Sequence, residues 1–386
     1  MRVLLIADRS FGARERLMMG RLEVGLADEG VRVVRAQPAD ATPLSRSTLG
    51  EQVFYDASGY ISSLVGLGRL RQGPHSIDAR LESKRLVTQI EELNMTPADR
   101  LVDVVHAWGE ECWTLALSLA TSMGAGCALE VWRSDLAPKL RRYERRFLRT
   151  EEALPLVWMC PNELIRMKVE RASAKAPSRL APWGVFTPAE PQAWRSHQSD
   201  VVSIAVLSTG EDQEALTTAL EGLSRAAPDP DHAIILLDSG AVRRGHRSWK
   251  TAEQLGLLDR LTLIPDMEAR RELILRADVL VQPEPNLGVR SIILDAMAAG
   301  MTIISRRDEE LEELVDDETA MLVRTPTAEA WESAIGAVLQ DRDRALRLSE
   351  SARAYIRAHR SASGQVSATL EAYSWLLGSD ALAFNG

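Results

Sequence analysis

The chain has 386 residues, 45% of them hydrophobic and 26% charged, with a formal net charge of −9. This composition excludes a disordered or collagen-like chain, and the acidic balance gives no electrostatic case for nucleic acid. At roughly 100–200 residues per domain, the length predicts two domains, each large enough to bury its own core.

The opening MRVLLIADRS has an apolar run, Val3–Ala7, that stops at Asp8. It is too short for the apolar region of a signal peptide and suits a first buried strand. A loop with Gly12 follows, then a helix pattern from about Arg14 to Glu29, ended by Gly30, and a second strand at Val31–Arg35. Residues 36–80 read as loop-rich. Val102–Ala107 is a strand, Trp113–Met123 a helix, Cys127–Trp132 a strand, Lys139–Arg149 a charged helix and Leu156–Cys160 a strand. This alternation predicts a parallel sheet with helices on both faces. Proline-rich residues Ala181–Ser199 break the pattern. It then restarts with strands at Val202–Leu207, Ala233–Leu237, Leu261–Ile264, Val279–Gln282 and Thr302–Ser305. Helices are expected between them at Gln213–Ala226, Thr251–Leu255, Ala269–Arg276 and Ser291–Ala299, and a last helical region at about Thr369–Leu377 after a polar break at Ser361–Gly364.

The expected architecture is therefore α/β, with two doubly wound Rossmann-like domains facing an interdomain cleft. The expected boundaries are 1–185 for the first domain, 186–200 for a linker, 201–360 for the second domain, and 361–386 for a C-terminal helix crossing back to the first domain. Ligands of such sheets sit beyond the carboxyl ends of the strands, and the cleft is the default site. Cys112, Cys127 and Cys160 lack CxxC or Cys/His spacing, so they are expected as core residues in a reducing compartment, with no metal site. No stretch approaches the ~18–20 apolar residues of a membrane span. A cytoplasmic protein is expected. No GxGxxG follows the first strand, and no Walker loop or GxSxG elbow is present.

Several phrases carry a family likeness. They are ADVLVQP (277–283), LDAMAAGMTIIS (294–305), LGLLDRLTLIP (255–265), EELVDDETAMLV (312–323) and PWGVF (182–186), with VVHAW (104–108) and VWRSDL (131–136) in the first half. Together they resemble GT-B glycosyltransferases, in particular the large retaining family 4 (glycosyl transferases group 1). The resemblance implies transfer of a sugar from a nucleotide diphosphate to an acceptor with retention, no metal cofactor, and a nucleotide-sugar as substrate. The family neutralises the diphosphate with an Arg and a Lys five residues apart, and uses two Glu for the sugar and the ribose. Here the Arg and Lys positions fall on Val206 and Glu211, the first Glu on Leu287 and the second on Asp295. The family's Gly-Gly becomes Glu309–Glu310, and the second His of its HxH becomes Trp108 while His106 remains. A carboxylate facing a diphosphate is repulsive.

Arg290 just before a helix N-terminus, Asp295, Gly288 and Glu284 are the candidate donor-binding residues, with Arg306 and Arg307 after the next strand. His106 is the candidate near the sugar, against the reading of a satisfied core histidine. Two functions stay open. One is an active glycosyltransferase with a remodelled donor site. The other is a catalytically inactive GT-B protein that acts as a partner or scaffold for another protein. In PKLRRYERRFLR (138–149), Arg142, Arg145, Arg146 and Arg149 form one basic stripe beside Leu140, Tyr143 and Phe147. Peripheral contact with acidic lipid at the inner face of the membrane is weighed there against an exposed helix.

Overall fold

The structure is a computed structural model that describes residues 1–39, 51–57, 77–93, 101–148, 154–194, 201–227, 233–244, 246–285 and 288–378. The chain divides into two compact units. The first comprises Met1–Trp183 with Ala362–Gly386, and the second Gly184–Ser361.

In the first unit the elements follow as β1 (Arg2–Ala7), α1 (Arg9–Arg14), α2 (Arg16–Asp28), β2 (Arg32–Pro38), β3 (Glu51–Tyr55), α3 (Ile77–Leu93), β4 (Val104–Trp108), α4 (Trp113–Met123), β5 (Gly126–Glu130), α5 (Leu140–Phe147), β6 (Leu156–Cys160), α6 (Glu163–Ala172) and β7 (Ser178–Leu180). The strands form one sheet in the order β3-β2-β1-β4-β5-β6-β7, every neighbouring pair parallel. β1, β4, β5 and β6 are buried along their whole length. Their apolar runs are continuous rather than alternating because helices cover both faces of a parallel sheet.

The second unit contains β8 (Val202–Val206), α7 (Gln213–Ala226), β9 (Ala233–Asp238), α8 (Ser239–Arg244), α9 (His246–Gln254), β10 (Leu261–Ile264), α10 (Arg271–Ile274), β11 (Val279–Gln282), α11 (Ser291–Ala299), β12 (Thr302–Arg306), β13 (Met321–Val323), α12 (Ala328–Gln340) and α13 (Arg342–His359). Its sheet runs β10-β9-β8-β11-β12-β13, again all parallel. The last helix, α14 (Ala362–Leu376), belongs to the first unit and packs on α2, β5 and β6. The Tyr373 side chain of α14 is completely buried there.

Several sequence expectations change. The helix expected at 14–29 is α2, and a short helix α1 precedes it from Arg9 because Asp8 caps an earlier start: its carboxylate accepts from the Phe11 N–H at 2.7 Å. Within 36–80, β3 is a strand and the start of α3 a helix. The edge position of β3 shortens its apolar signal to a few residues with mixed burial. The polar break at 361–364 is the first turn of α14. Helix α10 is shorter than the 269–276 pattern, and α9 starts five residues before Thr251. α12 and α13 do carry helical periodicity, with Trp331, Ala334, Ile335 and Val338, then Ala345, Leu348, Ala352 and Ile356 buried. Residues 195–200 of the expected linker lie outside the described residues.

The core of the second unit depends on a close helix crossing. α7 and α12 meet at Gly222, where an added Cβ would lie 2.8 Å from both the Ala328 carbonyl oxygen and the Glu332 nitrogen, and closer still to the Trp331 Cβ. Backbone atoms cannot move aside as a side-chain tip can. Gly222→Ala therefore lowers unfolding stability by about 1–3 kcal/mol through overpacking, despite the better helix propensity of Ala. Urea titration followed by circular dichroism checks this, and an unchanged or raised midpoint refutes it.

Candidate functional site

In an open α/β sheet, a crevice forms where the strand order reverses, outside the carboxyl ends of the two strands that flank the reversal. In the second unit those strands are β8 and β11. The segments that follow them are Leu207–Asp212 and Pro283–Arg290. Glu284 joins the two. Its Oε1 accepts from Ser208 Oγ at 2.6 Å and from the Gly210 amide at 3.0 Å, and its Oε2 accepts from the Thr209 amide at 2.9 Å and Thr209 Oγ1 at 2.7 Å. Gly210 has φ +71, and an added Cβ would lie 2.5 Å from the Ala241 carbonyl oxygen. Glycine is the residue that lets this loop close around a carboxylate. Asp212 ends the loop by capping α7 through the Ala215 amide at 2.9 Å, and lies 3.9 Å from the Arg306 guanidinium.

A second constellation lies on the same segment. Asp295 Oδ2 accepts from Arg271 Nη1 at 2.6 Å, and Arg271 Nη1 also reaches Ser291 Oγ at 2.9 Å. Arg271 Nη2 pairs with Glu268, and the other oxygen of Glu268 accepts from Arg290 Nη2 at 2.6 Å. Asp295, Arg271 and Arg290 are all buried. Two carboxylates and two guanidinium groups thus alternate as Asp295–Arg271–Glu268–Arg290, with a formal charge of zero. Each buried ion has an opposite neighbour, which offsets the several kcal/mol that desolvation costs an isolated charge.

The first unit repeats the first arrangement with other residues. Its strand order reverses between β1 and β4. Asp8 follows β1, donates its backbone N–H to the Trp108 carbonyl at 3.0 Å, and accepts the Glu111 amide at 3.3 Å across the reversal. Burial raises its carboxyl from 3.8 to about 6; the Phe11 hydrogen bond opposes the rise and the Glu111 charge adds to it. Beneath lie Phe11, Trp108, Trp132 and Trp183, with the Phe11 ring 5.5 Å from Trp108, 5.5 Å from Trp132 and 5.7 Å from Trp183. His106 sits below Trp108 with its ring fully enclosed. Its Nδ1 is 2.7 Å from the Tyr373 hydroxyl and its Nε2 is 3.5 Å from Glu130, whose other oxygen accepts from Trp183 Nε1 at 2.7 Å. Among the described residues no group of three His, Cys, Asp or Glu is placed to hold a metal ion.

Residues 189–355, wholly inside the second unit, match the family model described as glycosyl transferases group 1. This segment is a glycosyl transferases group 1 domain. A 128-residue stretch is 29% identical to a D-inositol 3-phosphate glycosyltransferase of Nocardia farcinica, covering 31% of this chain. The chain spans about 28% of the length of that curated relative. Solved structures align along nearly the whole chain. A glycosyltransferase from Rickettsia africae covers 97% of this chain and 98% of its own at 14% identity and a TM-score of 0.68. Anabaena HepE, solved in complex with UDP-glucose, covers 97% and 99% at 13% identity and a TM-score of 0.67. The fold is GT-B.

Within the group 1 domain, the sequence candidates fall into two places. Glu284, after β11, staples the loop after β8, while Arg290 and Asp295 are both in the buried charge chain. Arg271 and Glu268, which hold them, were missed by sequence reasoning. Their only signal is a three-residue spacing of opposite charges in a stretch read as an ordinary helix. Gly288 is buried with φ +75. Val206 is buried at the end of β8, Glu211 and Glu309 are exposed, and Glu310 is buried. Leu287 lies outside the described residues.

Two outcomes follow. Arg271→Ala leaves the buried Asp295 without its cation and Glu268 with Arg290 alone. It lowers stability by about 3–5 kcal/mol, read by chemical denaturation, and a loss under 1 kcal/mol refutes the chain of charges. Asp8 holds its proton more tightly folded than unfolded, so its contribution falls as pH rises from 3.8 toward 6. The loss totals about 3 kcal/mol. Asp8→Asn, which keeps the capping acceptor, raises Tm at pH 7 and flattens the stability profile between pH 4 and 6. A profile that keeps the wild-type slope overturns this.

Proposed function

We propose that the chain transfers a sugar from a nucleotide-sugar donor to an acceptor with retention of anomeric configuration, the donor being held by the group 1 domain. The observation that carries this reading is Asp295. It is a buried, oriented carboxylate at the position where the family places the ribose ligand, on the helix that follows Gly288. The donor's diphosphate needs positive charge, and Val206 and Glu211 supply none. The amides of the first turn of α11 attract anions, Arg290 stands at that helix start, and Arg306 ends the neighbouring strand. A phosphate at α11 would draw Arg290 from Glu268, exchanging one anionic partner for another. The reading assigns charge neutralisation to these groups rather than to a metal ion, and places the transfer in the cytoplasm. HepE, of the same fold, is solved with UDP-glucose, which supports the donor class.

Titration calorimetry with UDP-, GDP- and ADP-sugars tests it. Saturable binding of one of them is expected, with Asp295→Asn weakening it at least tenfold and Arg290→Ala abolishing transfer. Silence across all three overturns the proposal. The anomeric signal of the product in proton NMR reads retention directly.

Glu284 favours a second reading, a catalytically inactive GT-B protein that acts through a partner chain. Its carboxylate already occupies the amides of the loop after β8, so a diphosphate arriving there meets like charge, which costs on the order of several kcal/mol when water is excluded. A stable complex with another chain and no turnover is its expected outcome. A strictly monomeric protein with measurable turnover sinks it.

A further inference from the structure

The basic stripe of α5 does not stay together in the fold. Leu140 and Tyr143 are buried, so the apolar side of this helix faces the core of the first unit. Arg141 Nε donates to the Ala172 carbonyl at 2.8 Å, and Arg142 and Arg145 are exposed. Arg149 lies outside the described residues. Arg146 is half-buried and turns instead into a cavity of about 440 Å³, shared with α3 and α4. An amphipathic helix that lies in a membrane needs its apolar face free. This one has spent that face on the core, so the cavity is the feature to explain.

Among the described residues three cations line it, Arg80, Lys84 and Arg146, and no carboxylate does. Arg80 and Lys84 stand one helical turn apart on α3, a like-charge spacing that destabilises a helix. Among the described residues neither forms an ion pair, although the chain as a whole carries −9. Two cations without an ion pair among the described residues, Arg80 and Lys84, at one cavity of an acidic protein mark a place where an anion is received. The opposite wall is built of hydroxyls. Ser118 Oγ donates to the Thr114 carbonyl, Thr121 Oγ1 to Leu117 and Ser122 Oγ to Ser118, each at 2.8 Å. With their protons directed into the helix, these oxygens present lone pairs to the cavity. They suit a ligand that brings hydroxyl donors. The volume falls within the ~300–1,000 Å³ of small-molecule sites and exceeds what a bare oxyanion fills.

We propose that this cavity binds a phosphorylated sugar or polyol, with Arg80, Lys84 and Arg146 on the phosphoryl group and Ser118, Thr121 and Ser122 accepting from its hydroxyls. The site is separate from the strand reversal. α4 leaves the carboxyl end of β4 and returns to the amino end of β5, so its last two turns lie at the opposite edge of the sheet. The phosphoryl group can come from a soluble sugar phosphate or from the phosphoglycerol headgroup of a lipid, and the chemistry of recognition is the same.

Titration calorimetry of the full chain with glucose 6-phosphate, glucose and inorganic phosphate tests the site. It runs beside flotation with vesicles of phosphatidylcholine alone and with phosphatidylglycerol. Glucose 6-phosphate is expected to bind at least tenfold more tightly than either fragment. Arg80→Ala/Lys84→Ala, at exposed positions, is expected to weaken it at least tenfold while leaving Tm unchanged. Ser118→Ala reads the hydroxyl wall separately. Phosphatidylglycerol-dependent flotation that the double variant abolishes, without binding of glucose 6-phosphate, assigns the same site to a lipid headgroup. The proposal is overturned by the absence of both signals, by signals that the double variant leaves intact, or by inorganic phosphate binding as tightly as glucose 6-phosphate. Donor binding by the group 1 domain plays no part in these readouts.

Discussion

Each unit is organised around a carboxylate that closes the reversal of its own sheet. Where two parallel strands diverge in their connections, the sheet leaves a crevice at their carboxyl ends, and the loops that border it carry backbone amides that need acceptors. Glu284 meets that need after β8 with four hydrogen bonds to Ser208, Thr209 and Gly210. Asp8 meets it after β1 with the Phe11 and Glu111 amides. The solutions differ in chemistry. Asp8 is held where burial works against its charge, whereas Glu284 has both oxygens fully used by donors. In both units the geometry of the strand-end loops follows from a negative group that the chain itself supplies.

This constraint shapes the reading of the group 1 domain. A loop that surrounds its own carboxylate has few amides to offer a phosphate, so the positive potential for a donor must come from elsewhere on the same rim. In the proposed reading, the start of α11, Arg290 and Arg306 provide it. The alternating chain from Asp295 to Arg290 holds these groups in place before any ligand arrives. Such a network is costly to break and close to neutral as a whole, a combination that favours orientation more than raw stability. Under the same proposal, an incoming anion would compete with Glu268 for Arg290.

The first unit shows how remote segments complete a core. His106 and Glu130 lie on neighbouring strands, yet the hydroxyl that meets His106 comes from Tyr373, 267 residues later in the chain. Trp183 closes the same cluster through Glu130. The histidine is thereby enclosed between one hydrogen-bond partner, Tyr373, the nearby Glu130 carboxylate and aromatic rings. The helices on the outside of this unit then carry the cationic cavity, away from the strand ends.

Much of this was legible from the order of residues. Continuous apolar runs such as VLLIA and VLVQ, spaced by helical periods, specify a buried parallel sheet, since burial on both faces removes the alternation of a half-exposed strand. The phrases at 255–323 marked the group 1 domain, and the resemblance sets Val206 and Glu211 where the family carries cations. Pairing in space could not be read that way. Arg290 and Asp295 are candidates in one dimension, but their partners Arg271 and Glu268 are contributed by a different turn. Glu284 looked like a residue free to face a ligand until the loop after β8 folded onto it. Arg146 belonged to a stripe by spacing and to a cavity with Arg80 and Lys84 by packing. Periodicity and composition report what each residue gains from leaving water, which is a local property. Which charge meets which depends on the directions in which separate elements present their side chains, and only the packed sheets and helices decide that.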